Sequence, residues 1–531
     1  MFVLLVNPAY AQTFWSMNVV MKRLGKKLLE PPMGLITVAA FLPNEWELRL
    51  VELSARDITE EEWDRCDIVM VSGMGVQAPG IVETIKQGRA RGKTVVVGGP
   101  WVFHFPQEAL KVGADICVKG EAELAIPLLL DALERRESGV VIEAPSRPNL
   151  EECPPPRYDL LDLKLYAQMD IQFSRGCPFR CEFCDITLMF GRQVRTKSPR
   201  QIIREMEILY DLGWRKFIFF VDDNFIGNPP RAKALLKEMI PWMKEHRYPF
   251  ELCTQASVNL AAQPELLNLM VEAGFYKVFL GIESPDKDTL KLTKKLQNAA
   301  VDLDVVCQTI NKAGLQIIAG CVLGFDNESA GADQRLIEFA IRNQIPEMFI
   351  TLLQVGPGTD LYTRLSKEDR LLPMAWDGEI GSQTSMINFV PTRPADEIVA
   401  EFTRLYDVLY QPEAFMERAY NHFLRMERQP VERPFAFPNH RERCAVGITF
   451  LRQGILYPSR WKFWKFLFKA LFNFPKRIHY YVSACIMAEH YFQYRETIKA
   501  AFKTKLGDRG ARPGLPEAEP LRPARPQTDS L

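Results

Sequence analysis

Three cysteines, Cys177, Cys181 and Cys184, stand in C-x-x-x-C-x-x-C spacing inside the stretch Ile171-Gln-Phe-Ser-Arg-Gly-Cys-Pro-Phe-Arg-Cys-Glu-Phe-Cys184. They follow a short apolar run that predicts a strand, so they sit on a loop leaving a strand end. Thiolates are soft ligands suited to iron–sulfur clusters or zinc. A structural zinc site takes four protein ligands, and no nearby Cys or His supplies a fourth. A cubane cluster held by three cysteines leaves one iron open to a substrate or cosubstrate. A zinc loop and three incidental thiols are the alternatives.

The elements that must position this loop repeat strand then helix from 169 to 356. Strands are predicted at Asp170–Ser174, Lys216–Val221, Phe250–Gln255, Lys277–Ile282, Gln316–Leu323 and Met348–Gln354, with helices such as Pro199–Leu212 and Pro264–Ala273 between them. Six strands in that order predict an incomplete parallel barrel, whose chemistry belongs at the strand C-termini. Polar or small residues stand there in succession: Asp222-Asp223-Asn224, Ser257, Gly281 with Glu283, and Gly320 with Gly324. Capping and turn formation are the competing uses of these residue types.

Residues 1–140 also alternate, with apolar runs at Phe2–Val6, Leu48–Val51, Asp67–Val71, Thr94–Val97 and Asp115–Val118. Unbroken apolar strands spaced by helical lengths predict a doubly wound parallel sheet covered on both faces. Ligands of such sheets bind outside the strand carboxyl ends. Ser72, Gly73, Gly98, Gly99 and Gly120 fall there, and their small side chains admit a large flat ligand. Residues 141–168 are proline-rich and predict an extended linker. A mainly helical region is expected over 357–506, with helices at Ala395–Leu409 and Pro412–Glu427, and a disordered tail over 507–531.

With Phe183 before the third cysteine, the motif takes the C-x-x-x-C-x-aromatic-C form and resembles the signature of the radical S-adenosylmethionine (SAM) enzymes. Preceded by the N-terminal domain, it resembles the cobalamin-dependent class B methylases. Pro31–Leu35, Cys184-Asp185-Ile186, Val221–Asn228 and Leu352-Leu-Gln354 are similar to the hopanoid C-2 methylase and its bacteriochlorophyll-methylating relatives. The resemblance implies a 4Fe–4S cluster on the three cysteines, with SAM on the open iron. Asp223, Ser257, Gly281, Glu283 and Gly324 would lie around SAM, and cobalamin would lie over Ser72, Gly73, Gly98, Gly99 and Gly120. It further implies radical methylation of an unactivated carbon in a hydrophobic isoprenoid, hopanoid-like or tetrapyrrole substrate. An external electron donor such as flavodoxin or ferredoxin would reduce the cluster. The corrinoid motif D-x-H-x-x-G is absent, and the histidine of this region is His104, with no aspartate two places before it. Cobalt bound without a histidine from that motif is therefore expected. The rivals are a non-methylating cobalamin radical enzyme, a non-catalytic cobalamin or iron–sulfur carrier, and a zinc-binding interaction protein.

The charges balance, 66 basic against 66 acidic in 531 residues, so no global field draws nucleic acid. Eleven cysteines in a chain too large to need disulfide staples point to a reducing, cytoplasmic setting. The first residues break at Pro8 without a basic region and predict a strand rather than a signal peptide. No apolar run approaches the ~20 residues of a membrane span. Residues 461–477 are aromatic and basic, with Lys462, Lys465, Lys469 and Lys476 on one helical face. That pattern suits peripheral contact with a membrane; aromatics packed on the barrel are the alternative.

Overall fold

The computed structural model describes residues 1–373, 382–428, 431, 433 and 438–509. Five of the N-terminal strands fall where the apolar runs lie: β1 (Phe2–Asn7), β2 (Glu47–Glu52), β3 (Ile68–Ser72), β4 (Thr94–Gly98) and β5 (Ile116–Lys119). A sixth, β6 (Val140–Glu143), opens the stretch expected to be linker; it is a half-exposed edge strand, too short and wet to announce itself. All six run parallel in the order β2-β1-β3-β4-β5-β6. The two faces carry separate apolar cores, one around Leu4, Val69 and Trp101, the other around Val3, Met70 and Leu129. The order reverses between β1 and β3, which opens a crevice at their carboxyl ends.

The second sheet holds β7 (Met169–Ile171), β10 (Phe217–Phe220), β11 (Glu251–Ala256), β12 (Phe275–Glu283), β13 (Gln316–Leu323) and β14 (Glu347–Leu352). Every pairing is parallel and between consecutive barrel strands, the expected six-stranded partial barrel. A short antiparallel pair, β8 (Ser174–Arg175) with β9 (Arg195–Thr196), leaves the end of β7 and carries the cysteine loop between its arms.

Residues 144–168 are not a loose tether. Leu150, Tyr158 and Tyr166 are buried, and Lys27 and Leu28 donate to the Leu165 carbonyl. Proline keeps this segment extended while it packs on both sheets.

The loop after β1 and the C-terminal helix Ile478–Arg509 pack together, and the loop's aromatic residues lie against those of β12 and β14. Phe14 stacks on Tyr491 at 4.7 Å, accepts from His490 Nε2 through its carbonyl at 3.0 Å, and packs edge-on to Phe349 at 5.6 Å. Trp15 follows it against Phe279 and Phe349. The helices expected in the C-terminal region are present as Ala395–Leu409 and Pro412–Arg425, joined by His440–Leu451 and Arg460–Asn473. The helix Arg460–Asn473 ends before Lys476, which lies in the following 3-10 turn and not on the helical face assigned to it. The tail beyond residue 509 lies outside the described residues.

Candidate active site

The cysteine loop is held from four sides. Gly176 has φ +96°, and a Cβ there would stand 2.8 Å from the Gln193 carbonyl and 2.9 Å from that of Gly191, so only glycine lets the hairpin arms close this tightly. The Cys177 amide donates to the Gly191 carbonyl at 3.2 Å. Glu182 is buried, donates its amide to the Thr293 carbonyl at 3.1 Å, and pairs with Arg364 at 3.1 Å. Phe183 packs on Phe325 with ring centres 5.4 Å apart. At the root of the hairpin, Asp222 is fully buried and accepts from the Phe173 amide at 3.3 Å and from the amide and hydroxyl of Ser174. Burial pushes Asp222 up to about 7.

All three thiols are half-buried, and burial pushes each of them up, so loading a metal must displace protons. Among the described residues no three His, Cys, Asp or Glu converge as a single metal ion would require. The donor set, three thiols on one loop without a fourth ligand, fits a cluster corner by corner better than one tetrahedral ion. Asp223 supplies a second test of fit. It is half-buried near Cys177, desolvation pushes it up to about 6, and its Oδ2, shielded from solvent, has no hydrogen-bond partner. An orphaned carboxylate oxygen next to the thiols is what a cationic ligand, such as the SAM ammonium, would satisfy.

Asn224 completes this wall: its Oδ1 accepts from the Ser257 amide at 3.2 Å, and its amide reaches Ser257 Oγ at 3.4 Å. Asp223 and Ser257 are thus joined to the cysteines through one short segment. Gly281 and Glu283 sit on the far side of the loop. Glu283, at φ +61° where β12 bulges against β13, pairs with Lys295, and Lys295 lies within the electrostatic reach of Cys181 and Cys184. A Cβ on Gly281 would meet Glu283 Oε1 at 2.7 Å and Lys295 Nζ at 2.8 Å. Glu283 is therefore turned toward a lysine rather than presented alone. Gly324 departs from expectation. Its amide donates to Glu328 at 2.8 Å, and Ile387 and Ile398 cover the place of its missing Cβ at 3.1 Å. Its freedom serves the turn that ends β13, and the Ile387 and Ile398 side chains occupy the side of it that was expected to face SAM.

In the N-terminal sheet, Ser72, Gly73, Gly98 and Gly99 converge at the ends of β3 and β4. At Gly99, φ +87°, a Cβ would lie 2.4 Å from Ser72 Oγ and 3.2 Å from the Gly73 nitrogen. Ser72 is the largest side chain of the four, so the cradle is lined by small residues, as a flat macrocycle requires. Gly120 ends β5 two strands from the switch point, and the residue after it does different work. Glu121 is buried and takes Arg175 at 2.8 Å and Arg195 at 2.7 Å, while Glu123 takes Arg175 at 2.6 Å. Arg175 and Arg195 are the two arms of the cysteine hairpin. His104 also crosses the boundary, its Nε2 3.1 Å from Asp185 Oδ2. Lys295, Glu121 and the two arginines carried no spacing signal; Glu121 stood near a strand end and Arg175 beside Gly176, while Lys295, between two short helices, had nothing to mark it.

A cavity of about 3390 Å³ runs between the two sheets, from Met74, His104 and Asp185 to the barrel interior at Gln255, Phe279 and Phe349. Glu30 and Gln168 line it too; Gln168 donates to Asp170 at 3.0 Å, and burial pushes Glu30 up to about 7.

Residues 26–130 match the B12 binding domain, 171–339 the Radical SAM superfamily, and 359–504 a domain of unknown function (DUF4070). The chain is 45% identical over 505 residues to an uncharacterized methyltransferase of Synechocystis sp., covering 95% of this chain and 94% of the relative. It is 33% identical to the hopanoid C-2 methylase of Rhodopseudomonas palustris, covering 83% and 84%. Among solved structures, the fold is similar to the cobalamin-dependent S-adenosylmethionine radical enzyme OxsB (TM-score 0.59, 15% identity, 96% of this chain and 81% of that one). It is also similar to the radical S-adenosylmethionine methyltransferase TsrM from Kitasatospora setae (TM-score 0.58, 14% identity, 94% and 99%). The chain belongs to the cobalamin-dependent radical SAM methylases, a family whose cofactors are a 4Fe–4S cluster, SAM and cobalamin.

Proposed function

We propose that this enzyme methylates an unactivated carbon of a hydrophobic isoprenoid, hopanoid-like or tetrapyrrole substrate. The observation that carries the reading is the cavity. It reaches Asp185 and Met189 of the cysteine hairpin and Met74, Gly75 and Pro100 beside the cobalamin cradle, and runs into a barrel walled by Trp15, Phe219, Phe279, Ile318 and Phe349. Its volume exceeds that of an ordinary small-ligand pocket, roughly 300–1,000 Å³, and so has room for cofactors and a bulky apolar substrate together. The similarity to the hopanoid C-2 methylase supports the lipid arm of this reading.

Bound there, the reduced cluster with SAM would supply a radical able to take hydrogen from carbon, and cobalamin a methyl group. Cys177, Cys181 and Cys184 would hold the cluster, Asp223 the SAM cation, and the small-residue cradle at Ser72, Gly73, Gly98 and Gly99 the corrin. The Glu121 ion pairs hold the two domains face to face, and the aromatic walls exclude water from the reacting carbon. A soluble one-electron donor such as flavodoxin or ferredoxin would deliver the electron from outside. Mass spectrometry of lipid and pigment extracts from a gene knockout tests the reading. Loss of a product one CH₂ unit heavier than an accumulating apolar precursor is expected. A missing product with no methyl difference, as in a cyclisation, overturns it.

A further inference from the structure

The helix Arg460–Asn473 has two working faces. Phe463, Phe466, Leu467 and Ala470 are buried, Phe463 against Phe450 at 5.4 Å and Phe466 against Tyr420 at 5.2 Å. This face is core, as the packing alternative expected. The opposite face should then be polar, and it is not. Trp461, Phe468 and Phe472 follow one another at spacings of seven and four, which puts them in one line along the helix. They are 75%, 53% and 84% exposed. Exposed Leu451, Ile455 and Leu456 extend the patch onto the preceding turn. So large an apolar surface on a folded domain marks an interaction site.

Charge identifies the partner. From 443 to 488 the chain carries Arg443, Arg452, Arg460, Lys462, Lys465, Lys469, Lys476 and Arg477 and no acidic residue, in a protein whose charges otherwise balance. Some are paired, Arg452 to the buried Glu489 and Lys462 to Glu413 at the surface, while Lys465 and Lys469 flank the aromatic line on its exposed side. Aromatic and aliphatic side chains between lysines suit the headgroup boundary of an anionic bilayer. Nucleic acid would match the lysines but not the aliphatic Ile455 and Leu456. Pro475 and Ile478, directly after the helix, line the large cavity together with Val482.

We infer that this patch seats the enzyme on an anionic lipid surface, with an opening of the cavity beside it. The membrane contact stands on the surface itself; its use in drawing an apolar substrate from the bilayer rests on the function proposed above.

The test is co-sedimentation of the reconstituted holoenzyme with phosphatidylglycerol–phosphatidylcholine vesicles. Wild type should pellet at low salt and be released as salt rises. Each lysine is worth about a fivefold change in partition, so Lys465→Glu/Lys469→Glu should weaken binding ~25-fold or more. Trp461→Ser/Phe472→Ser should abolish the salt-resistant part. The same charge change elsewhere, Lys86→Glu/Lys237→Glu, should do nothing. All six sites are exposed on helices, so the variants should retain iron. A wild type that stays in the supernatant, or a patch variant that binds as well as wild type, overturns the inference. So does a concentration-dependent dimer lost in Trp461→Ser/Phe472→Ser without vesicle binding, or equal retention on an oligonucleotide. Product formation from detergent-dispersed substrate should persist in the patch variants, so a failed membrane contact and a failed methyl transfer read out separately.

Discussion

Removing the Glu121 carboxylate should uncouple the cysteine hairpin from the cobalamin-binding domain. Two carboxylates, Glu121 and Glu123, face two guanidinium groups, Arg175 and Arg195, at 2.6 to 3.0 Å. The side chains of this group are between 2% and 14% exposed. The set is neutral as it stands, and Glu121→Ala leaves one uncompensated positive charge in a nearly dry site. Breaking a buried pair from one side costs ~3–5 kcal/mol, against under ~1 kcal/mol for an exposed pair. The cost falls on the hairpin, because Arg175 and Arg195 are its strands while Glu121 belongs to the neighbouring sheet. Native-state hydrogen exchange is the assay, since local opening is read there without assuming that a multidomain chain unfolds in one step. Amides of 174–196 should exchange ~100-fold faster or more in Glu121→Ala, with those of β13 unchanged. Cobalamin binding should loosen with them, and Glu121→Gln, which keeps the shape, should lie between. Unchanged protection over 174–196 would refute this account of what holds the domains together.

Cys177→Ala, Cys181→Ala and Cys184→Ala should each abolish the cluster and SAM cleavage after anaerobic reconstitution, whereas the buried Cys253→Ala, Cys307→Ala and Cys321→Ala should keep full iron content. His104 is engaged with Asp185 across the domain boundary. Paramagnetic resonance of bound cob(II)alamin should therefore show no protein nitrogen on the lower face, and a nitrogen coupling that disappears in His104→Ala would contradict this. Burial pushes His490 down to about 4. Below pH 6.5 the unfolded chain takes up a proton that the native state refuses until about pH 4, so this group's stability is full above 6.5 and is lost as pH falls. The whole loss is on the order of 3 kcal/mol. Glu30 and Glu52, raised to about 7, act in the opposite sense, gaining stability over the same fall. The informative quantity is thus the difference between wild type and His490→Gln in stability against pH, which should slope between pH 6.5 and 4; a flat difference refutes the assignment.

The sequence by itself determined the periodic parts. Strands buried on both faces must be continuous apolar runs, and helices between them must repeat at 3.6 residues, so β1 to β5 and the six barrel strands were legible to within a few residues. The cysteine triplet was legible because its thiols are local: one loop carries all three, and spacing alone defines the candidate donor set. Asp223 and Ser257 were singled out by their places at strand ends. What pairs across the chain was not. Glu121 with Arg175 and Arg195, His104 with Asp185, and Phe14 with Tyr491 join residues far apart in sequence, and an ion pair or ring stack leaves no period to detect. Gly324 shows the converse. A glycine at a strand end satisfied the sequence pattern, yet the helix Ala395–Leu409 packs over it. The helix Arg460–Asn473 needed both sources. Its composition held core and membrane readings side by side, and only the docking of Phe463 and Phe466 decided which aromatic residues are buried and which face outward, because burial is a property of the neighbours a helix meets.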